Sequence, residues 1–209
     1  MDSPTTTTSS SPVVEALHTL RIGGGATRDA VVAATSSETI DALLADDLIK
    51  SAGPRVVLTP AGRAAHEQAL AAELDDRGAR APVEQAYQRF LPLNDDVLQV
   101  CTDWQLRFDG GTPVPNDHTD SAYDAGVIER LGALGDGARD VVDALSAALP
   151  RFAGYGDDLA DAIARVEGGD SDYFTNPRVR CFHSVWFEMH EDLLATLGID
   201  RASEQGAGG

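Results

Sequence analysis

The sequence predicts a mainly α protein in two parts: three short helices with a small two-stranded ribbon, then an α-helical bundle. Three observations carry this expectation. Apolar residues recur at helical spacing along most of 13–201. β-prone residues concentrate in one short stretch, 48–58, divided by Gly53-Pro54. The remaining helical segments are joined by short runs of turn-forming residues, which suits a bundle better than an α/β core.

Composition sets the outer bounds. The chain has 209 residues, of which 43% are hydrophobic. At this size folding buries roughly 70% of the extended chain's surface, enough for a core without disulfides or metal. No apolar run approaches the ~20 residues of a membrane helix, and the opening residues lack the basic and apolar regions of a secretory signal. Cys101 and Cys181 fall in apolar helical stretches and read as reduced, buried thiols of a cytoplasmic protein. The formal charge is −18, and it is uneven. Residues 1–81 hold seven basic and eleven acidic side chains, residues 82–209 nine and twenty-three. Such a field opposes nucleic acid and anionic membranes, so any DNA contact must come from a local surface of the first part. No membrane partner is expected.

Taken in order, residues 1–12 and 202–209 are polar and of low complexity, and read as disordered tails. A first helix over 13–21 sets Val13, Leu17 and Leu20 on one face, and Gly23-Gly24-Gly25 ends it. Thr27 is a good N-cap for a second helix, 28–34, with Val31 and Val32 inward. Thr35-Ser36-Ser37-Glu38 fits a capping box, a hydroxyl followed three residues later by a carboxylate. The helix it opens stripes Ile40, Leu43, Leu44 and Leu48. After the hairpin, Thr59-Pro60 restarts a helix that runs to about residue 74, because Pro is favoured at a first helical position.

The charged stretch 75–82 reads as a hinge between a domain over 13–74 and a helical domain over 83–201. From Val83 a long helix brings Ala86, Tyr87, Phe90, Leu93, Val97, Cys101 and Trp104 near one face, with a kink expected at Pro92. Residues 109–117 read as a loop. Four further helices follow, over 122–134, 138–149, 157–166 and 177–197.

Helices, ribbon and following helix in this order make a winged helix-turn-helix. Leu43-Leu44-Ala45-Asp46-Asp47-Leu48-Ile49, then Val57-Leu58-Thr59-Pro60-Ala61-Gly62-Arg63, resembles the recognition helix, wing and post-wing helix of MarR-type regulators, across about 13–74. The resemblance implies a third helix in the major groove, a wing along the backbone, and a homodimer in which the helix over 60–74 takes part. The groups it assigns to DNA are Arg28, Lys50, Arg55 and Arg63, with Ser36, Ser37 and Thr39 at the start of the third helix. The exposed positions of that helix would be Ser37, Glu38, Asp41, Ala42 and Ala45. Those are small or acidic, and none makes a bidentate base contact. Two readings therefore stand: a DNA-binding transcriptional regulator, or a regulatory module whose winged helix contacts protein.

Two later stretches are also distinctive. One is Cys101-Thr102-Asp103-Trp104-Gln105 followed by Asn116-Asp117-His118-Thr119-Asp120-Ser121-Ala122-Tyr123-Asp124; the other is Phe182-His183-Ser184-Val185-Trp186-Phe187-Glu188-Met189-His190. With the winged helix they resemble a family of actinobacterial regulator-like proteins, and similar modules occur at the C-terminal end of chains related to pyruvate, phosphate dikinase. That implies a class rather than a reaction.

Physically, Trp104 and Gln105 are expected to face the His183–His190 side of the last helix, with Asn116, Asp117 and His118 closing one end. Such a cluster either binds a small-molecule effector or is a self-satisfied network that holds helix register. His118, His183 and His190 with a carboxylate would suit a metal. Against that, His-x6-His is no recognised ligand spacing, and histidines bonded to neighbouring carboxylates or carbonyls are the favoured reading, so no metal is expected. Gly-x-Ser-x-Gly, P-loop and His-Glu-x-x-His motifs do not occur. Neither an enzyme nor a cofactor is expected.

Overall fold

The computed structural model describes residues 11–201, the side chain of Asp109 excepted. Both expected tails therefore lie outside the described residues, except for Ser11 and Pro12, which open the first helix. The chain is mainly α with two small antiparallel sheets. It forms two compact units: one to Glu73, joined by the segment from Gly198, and the other Leu74–Leu197.

In the first unit the order is α1 (Pro12–Ile22), β1 (Ala26–Thr27), α2 (Arg28–Ala34), α3 (Ser37–Ala45), β2 (Ile49–Ala52), β3 (Arg55–Leu58) and α4 (Pro60–Arg77). Each start has a local cause. Ser11 accepts the Val13 N–H, and Thr27 accepts that of Ala30 at 3.3 Å. The cap of α3 is Ser36, not Thr35: Ser36 Oγ accepts the Thr39 N–H at 3.1 Å. Thr35 is committed elsewhere, donating its hydroxyl back to the Val31 carbonyl at 2.8 Å to close α2. The ribbon also gains a third strand, giving the order β1-β3-β2, with Ala26 opposite Val56 and Thr27 opposite Arg55. Two residues are too few to show a two-residue alternation in sequence.

Ala16, Leu17, Leu20, Val31, Ile40, Leu43, Ile49 and Val56 make the core of this unit. Val13, expected on the inner face of α1, is exposed. One junction ties helix to sheet. The Leu48 carbonyl accepts the Thr59 N–H at 3.0 Å, the Thr59 hydroxyl donates to the Asp47 carbonyl at 2.6 Å, and Gly62 N–H donates to Thr59 Oγ1. A Cβ on Gly62 would stand 1.9 Å from that same carbonyl oxygen.

The second unit holds α5 (Arg80–Gln105), β4 (Leu106–Asp109), β5 (Thr112–Pro115), α6 (Ser121–Ala148), a 3-10 turn (Pro150–Phe152), α7 (Ala153–Glu167), α8 (Asp172–Thr175) and α9 (Phe182–Leu197). The stretch expected as a hinge is largely helical, because α4 runs to Arg77 and α5 begins at Arg80. Helix α5 continues through Pro92. The expected loop at 109–117 is instead a hairpin, turned by Gly110 and Gly111 at φ 56° and 87°. Positive φ at both central residues is what a tight two-residue hairpin turn requires.

The helices expected over 122–134 and 138–149 are one helix. Its glycines looked like a break and are contact points: a Cβ on Gly135 would lie 2.5 Å from Ile163 Cδ1, and one on Gly137 3.0 Å from Leu93 Cδ2. Each glycine costs about 1 kcal/mol of helix propensity against alanine, which close packing offsets. Finally, α9 begins at Phe182 rather than 177. Phe90 is fully enclosed, stacked on Trp186 at 4.9 Å between centroids.

Replacing Gly62 with alanine should destabilise the protein by about 2 kcal/mol or more, since a backbone carbonyl cannot step aside as a side chain can. Chemical denaturation measures this. An unchanged midpoint would contradict the close approach at Leu48.

Candidate functional site

Two sets of residues were expected to carry function, and each lies within a single unit. In the first, α3 presents Ser37, Glu38, Asp41, Ala42 and Ala45 outward, while Ile40 and Leu43 are buried. Ser36 and Thr39 are only partly exposed and are occupied with each other, Ser36 Oγ lying 3.1 Å from Thr39 Oγ1. Glu38, near the start of α3, has its carboxyl held below the ordinary value by its own backbone N–H and by the Ser36 and Ser37 hydroxyls.

The four basic candidates divide. Arg28 is paired with Asp41 of α3 at 2.6 Å, both partners exposed. Arg55 donates through Nη2 to the carbonyls of Gly25 and Gly23, fastening β3 to the turn after α1. Lys50 and Arg63 are exposed, without an ion pair among the described residues.

The second set does not assemble as expected. Gln105 and His183 are exposed, so the premise that both are buried groups seeking partners fails. His190 is buried instead against Phe90, ring centroids 4.8 Å apart. The structure does bring Trp104, Asn116 and His118 together, and adds Asp124, Tyr123 and Asp103.

Asn116, buried at the end of the hairpin, donates through Nδ2 to the Trp104 carbonyl at 3.1 Å and to Asp124 Oδ1 at 2.9 Å. Those two bonds use both amide hydrogens. His118 Nδ1, 3.0 Å from Asp124 Oδ2, must then carry the proton of that contact. The His118 ring tilts over Trp104 at 4.4 Å, and its backbone takes φ 57°, rare outside glycine. Its own N–H is held by Asn116 Oδ1 at 3.3 Å. Tyr123 donates its hydroxyl to the Asp103 carbonyl at 3.0 Å, and Asp103 accepts from Arg130 at 2.7 Å. Asp120 caps α6, and its carboxyl is held below the usual range chiefly by the Tyr123 N–H, with Arg107 adding to it. Asp117 is lowered in the same way by the Thr119 hydroxyl and N–H.

Three groups in this unit escaped the sequence analysis. Asn94 accepts the Trp186 indole N–H at 3.0 Å. Asp192, enclosed in α9, accepts from the Tyr155 hydroxyl at 3.2 Å and the Thr196 hydroxyl at 3.1 Å, with Arg151 at 3.4 Å. Burial pushes the Tyr155 phenol well above its ordinary value, and the Asp192 carboxylate adds to the shift. A cleft of about 450 Å³ lies between α6 and α7, floored by Val142, Leu159 and Ile163 with Glu129, Asp136 and Glu167 around it.

His118, His183 and His190 are not gathered, and no group of three or more metal-ligating side chains stands together among the described residues. No family model matches the chain, and no curated protein and no solved structure matches it. The likeness to MarR-type regulators rests on its residues alone.

Asn116→Ala should cost about 1–3 kcal/mol by stranding the Trp104 carbonyl and the Asp124 carboxylate. His183→Ala should stay within about 0.5 kcal/mol, as an exposed site does. Denaturant midpoints of the two variants check the contrast. Burial, with Cys181 beside it, pushes the Cys101 thiol up to about 12. A thiol shifted in that direction holds its proton through neutral and mildly alkaline pH. The native protein should therefore resist a disulfide reagent such as DTNB near pH 8 (~pH at which an ordinary thiol reacts), and both cysteines should titrate once it is unfolded.

Proposed function

We propose that this chain is a regulatory protein in which a winged helix-turn-helix, spanning α1 to the start of α4, docks through the outer face of α3 on a basic surface of a partner protein. The observation that carries this reading is the fate of the cations. Arg28 is neutralised by Asp41, and Arg55 is bound to backbone carbonyls. Asp41 is spent in the same pair, and Glu38 remains, among the described residues, as the unpaired charge on the face that would have to enter a major groove. Proteins that grip DNA strongly make about 6–10 phosphate contacts. Of the four basic candidates, Lys50 and Arg63 are exposed without an ion pair among the described residues, and Arg55 keeps its charge but is anchored through Nη2. A basic protein surface meets the same acidic face favourably and is steered towards it.

Direct DNA binding is the second reading, favoured by the order of elements and by the exposure of Lys50 and Arg63. For the helical unit, the mutual saturation of Asn116, His118 and Asp124 supports a network that holds α5, the hairpin and α6 in register, rather than an effector site.

The test pairs two measurements. The purified chain should give no salt-sensitive mobility shift with its own upstream DNA at low ionic strength. It should retain a salt-eluted protein from host extract, and Asp41→Lys should lose that protein while keeping its circular dichroism. A DNA shift abolished by Lys50→Glu, with a salt slope of about −2 for two phosphate contacts, would overturn this reading in favour of the second.

A further inference from the structure

Two histidines that the sequence analysis passed over meet inside the first unit. His18 lies half-buried on α1, and His66 on α4 is completely enclosed. His18 Nδ1 and His66 Nε2 are 3.1 Å apart, with ring centroids at 5.2 Å and planes inclined by 48°. They stand 48 positions apart in the sequence. Two rigid helices thus deliver two imidazole nitrogens to one point.

A hydrogen bond between neutral rings is one use of such a contact. It requires one ring to present its proton and the other its lone pair. The separation is also that of two imidazoles sharing a metal ion. With metal–nitrogen bonds of about 2.0–2.1 Å, two ligands stand about 3.3 Å apart at a tetrahedral angle and about 2.9 Å apart at a right angle. The observed value falls between these.

We propose that His18 and His66 form a binding site for a divalent first-row transition ion of the Zn²⁺, Co²⁺ or Ni²⁺ class. Neutral imidazole suits these ions, whereas Mg²⁺ and Ca²⁺ demand oxygen ligands. No third side chain completes the set among the described residues. The ion's other positions lie on the side where His18 is open to solvent. Binding needs no oxidant or reductant. The proton held between the rings moves to the far nitrogen of the ring that carried it, both rings stay neutral, and two metal–nitrogen bonds replace one hydrogen bond. His18, the more exposed ring, makes the turn that aims both lone pairs at the ion. The ion would then cross-link α1 to α4. This inference concerns groups apart from α3 and does not depend on the partner proposed for it.

Cobalt(II) chloride titrated into the full chain near neutral pH provides the test. A ligand-field absorption that saturates at about one ion per chain is expected for such a nitrogen-ligated site, with a rise in the thermal unfolding midpoint. His66→Gln disturbs an enclosed position and folds poorly if packing fails, so His18→Gln carries the experiment. It should lose both the saturable absorption and the thermal shift while keeping native circular dichroism. His118→Gln and His183→Gln should keep both. No saturable signal in the wild-type chain, or a signal that survives His18→Gln, would overturn the site.

Discussion

Backbone brought against backbone closer than any side chain allows is the constraint on which the first unit is built. There Gly62 lets the start of α4 sit on the Leu48 carbonyl, where the Thr59 N–H also bonds. That junction closes the hairpin, fixes where α3 ends and sets the direction of α4. Gly25 does the same service opposite β3, since a Cβ there would meet the Val56 carbonyl at 2.9 Å. In the second unit glycines also mark close helix contacts, with Gly135 facing Ile163 and Gly137 facing Leu93, but there the neighbours are side-chain ends that can shift. Interiors are packed as densely as crystals, so the backbone approaches transmit position rather than absorb it. The outer face of α3 is held by the first set, and the cluster around Asn116 hangs from helices held by the second.

The charges follow from this geometry. The Arg28–Asp41 pair is exposed at both ends, and pairs of that kind contribute about 0–1 kcal/mol. Its larger effect is on what the surface offers: Arg28 and Asp41 cancel, and Glu38 is left, among the described residues, as the unpaired charge on the outer face of α3. Arg55 is similar. Its guanidinium lies on carbonyls at the Gly23–Gly25 turn, where Nη2 fastens β3 to the turn after α1. Positive side chains near α3 thus serve the unit's own integrity first.

Much of the architecture was legible in the residues, because it rests on local chemistry. Thr27 announces α2, Thr59-Pro60 announces α4, and the stripe of Ile40 and Leu43 announces the buried side of α3. What was not legible depends on partners far away in sequence. Nothing local distinguishes a glycine that ends a helix from Gly135, whose reason is Ile163. Thr35 and Ser36 are equally good caps until Val31 claims the first. The hairpin at 106–115 was hidden by its prolines, which argue against a strand unless it lies at an edge. In the candidate cluster, the grouping of Trp104, Asn116 and His118 was readable from polar residues in apolar surroundings. The placing of Gln105 and His183 was not, since one residue's difference in helical phase decides between core and solvent.

Those prolines have a consequence of their own. Pro113 and Pro115 lie opposite Phe108 and Leu106, alternating with positions such as Asn116, whose N–H bonds across to the Gln105 carbonyl at 2.8 Å. In an antiparallel ladder the N–H groups at the alternate stations point away from the partner strand, to the open margin of the sheet. Proline at both stations leaves that margin without donors. Phe108 is 66% exposed, and a bare hairpin carrying it would otherwise be an invitation to strand-by-strand growth. The β5 margin is thus a poor template: the hairpin keeps an apolar tip in water while that edge offers the next strand no N–H.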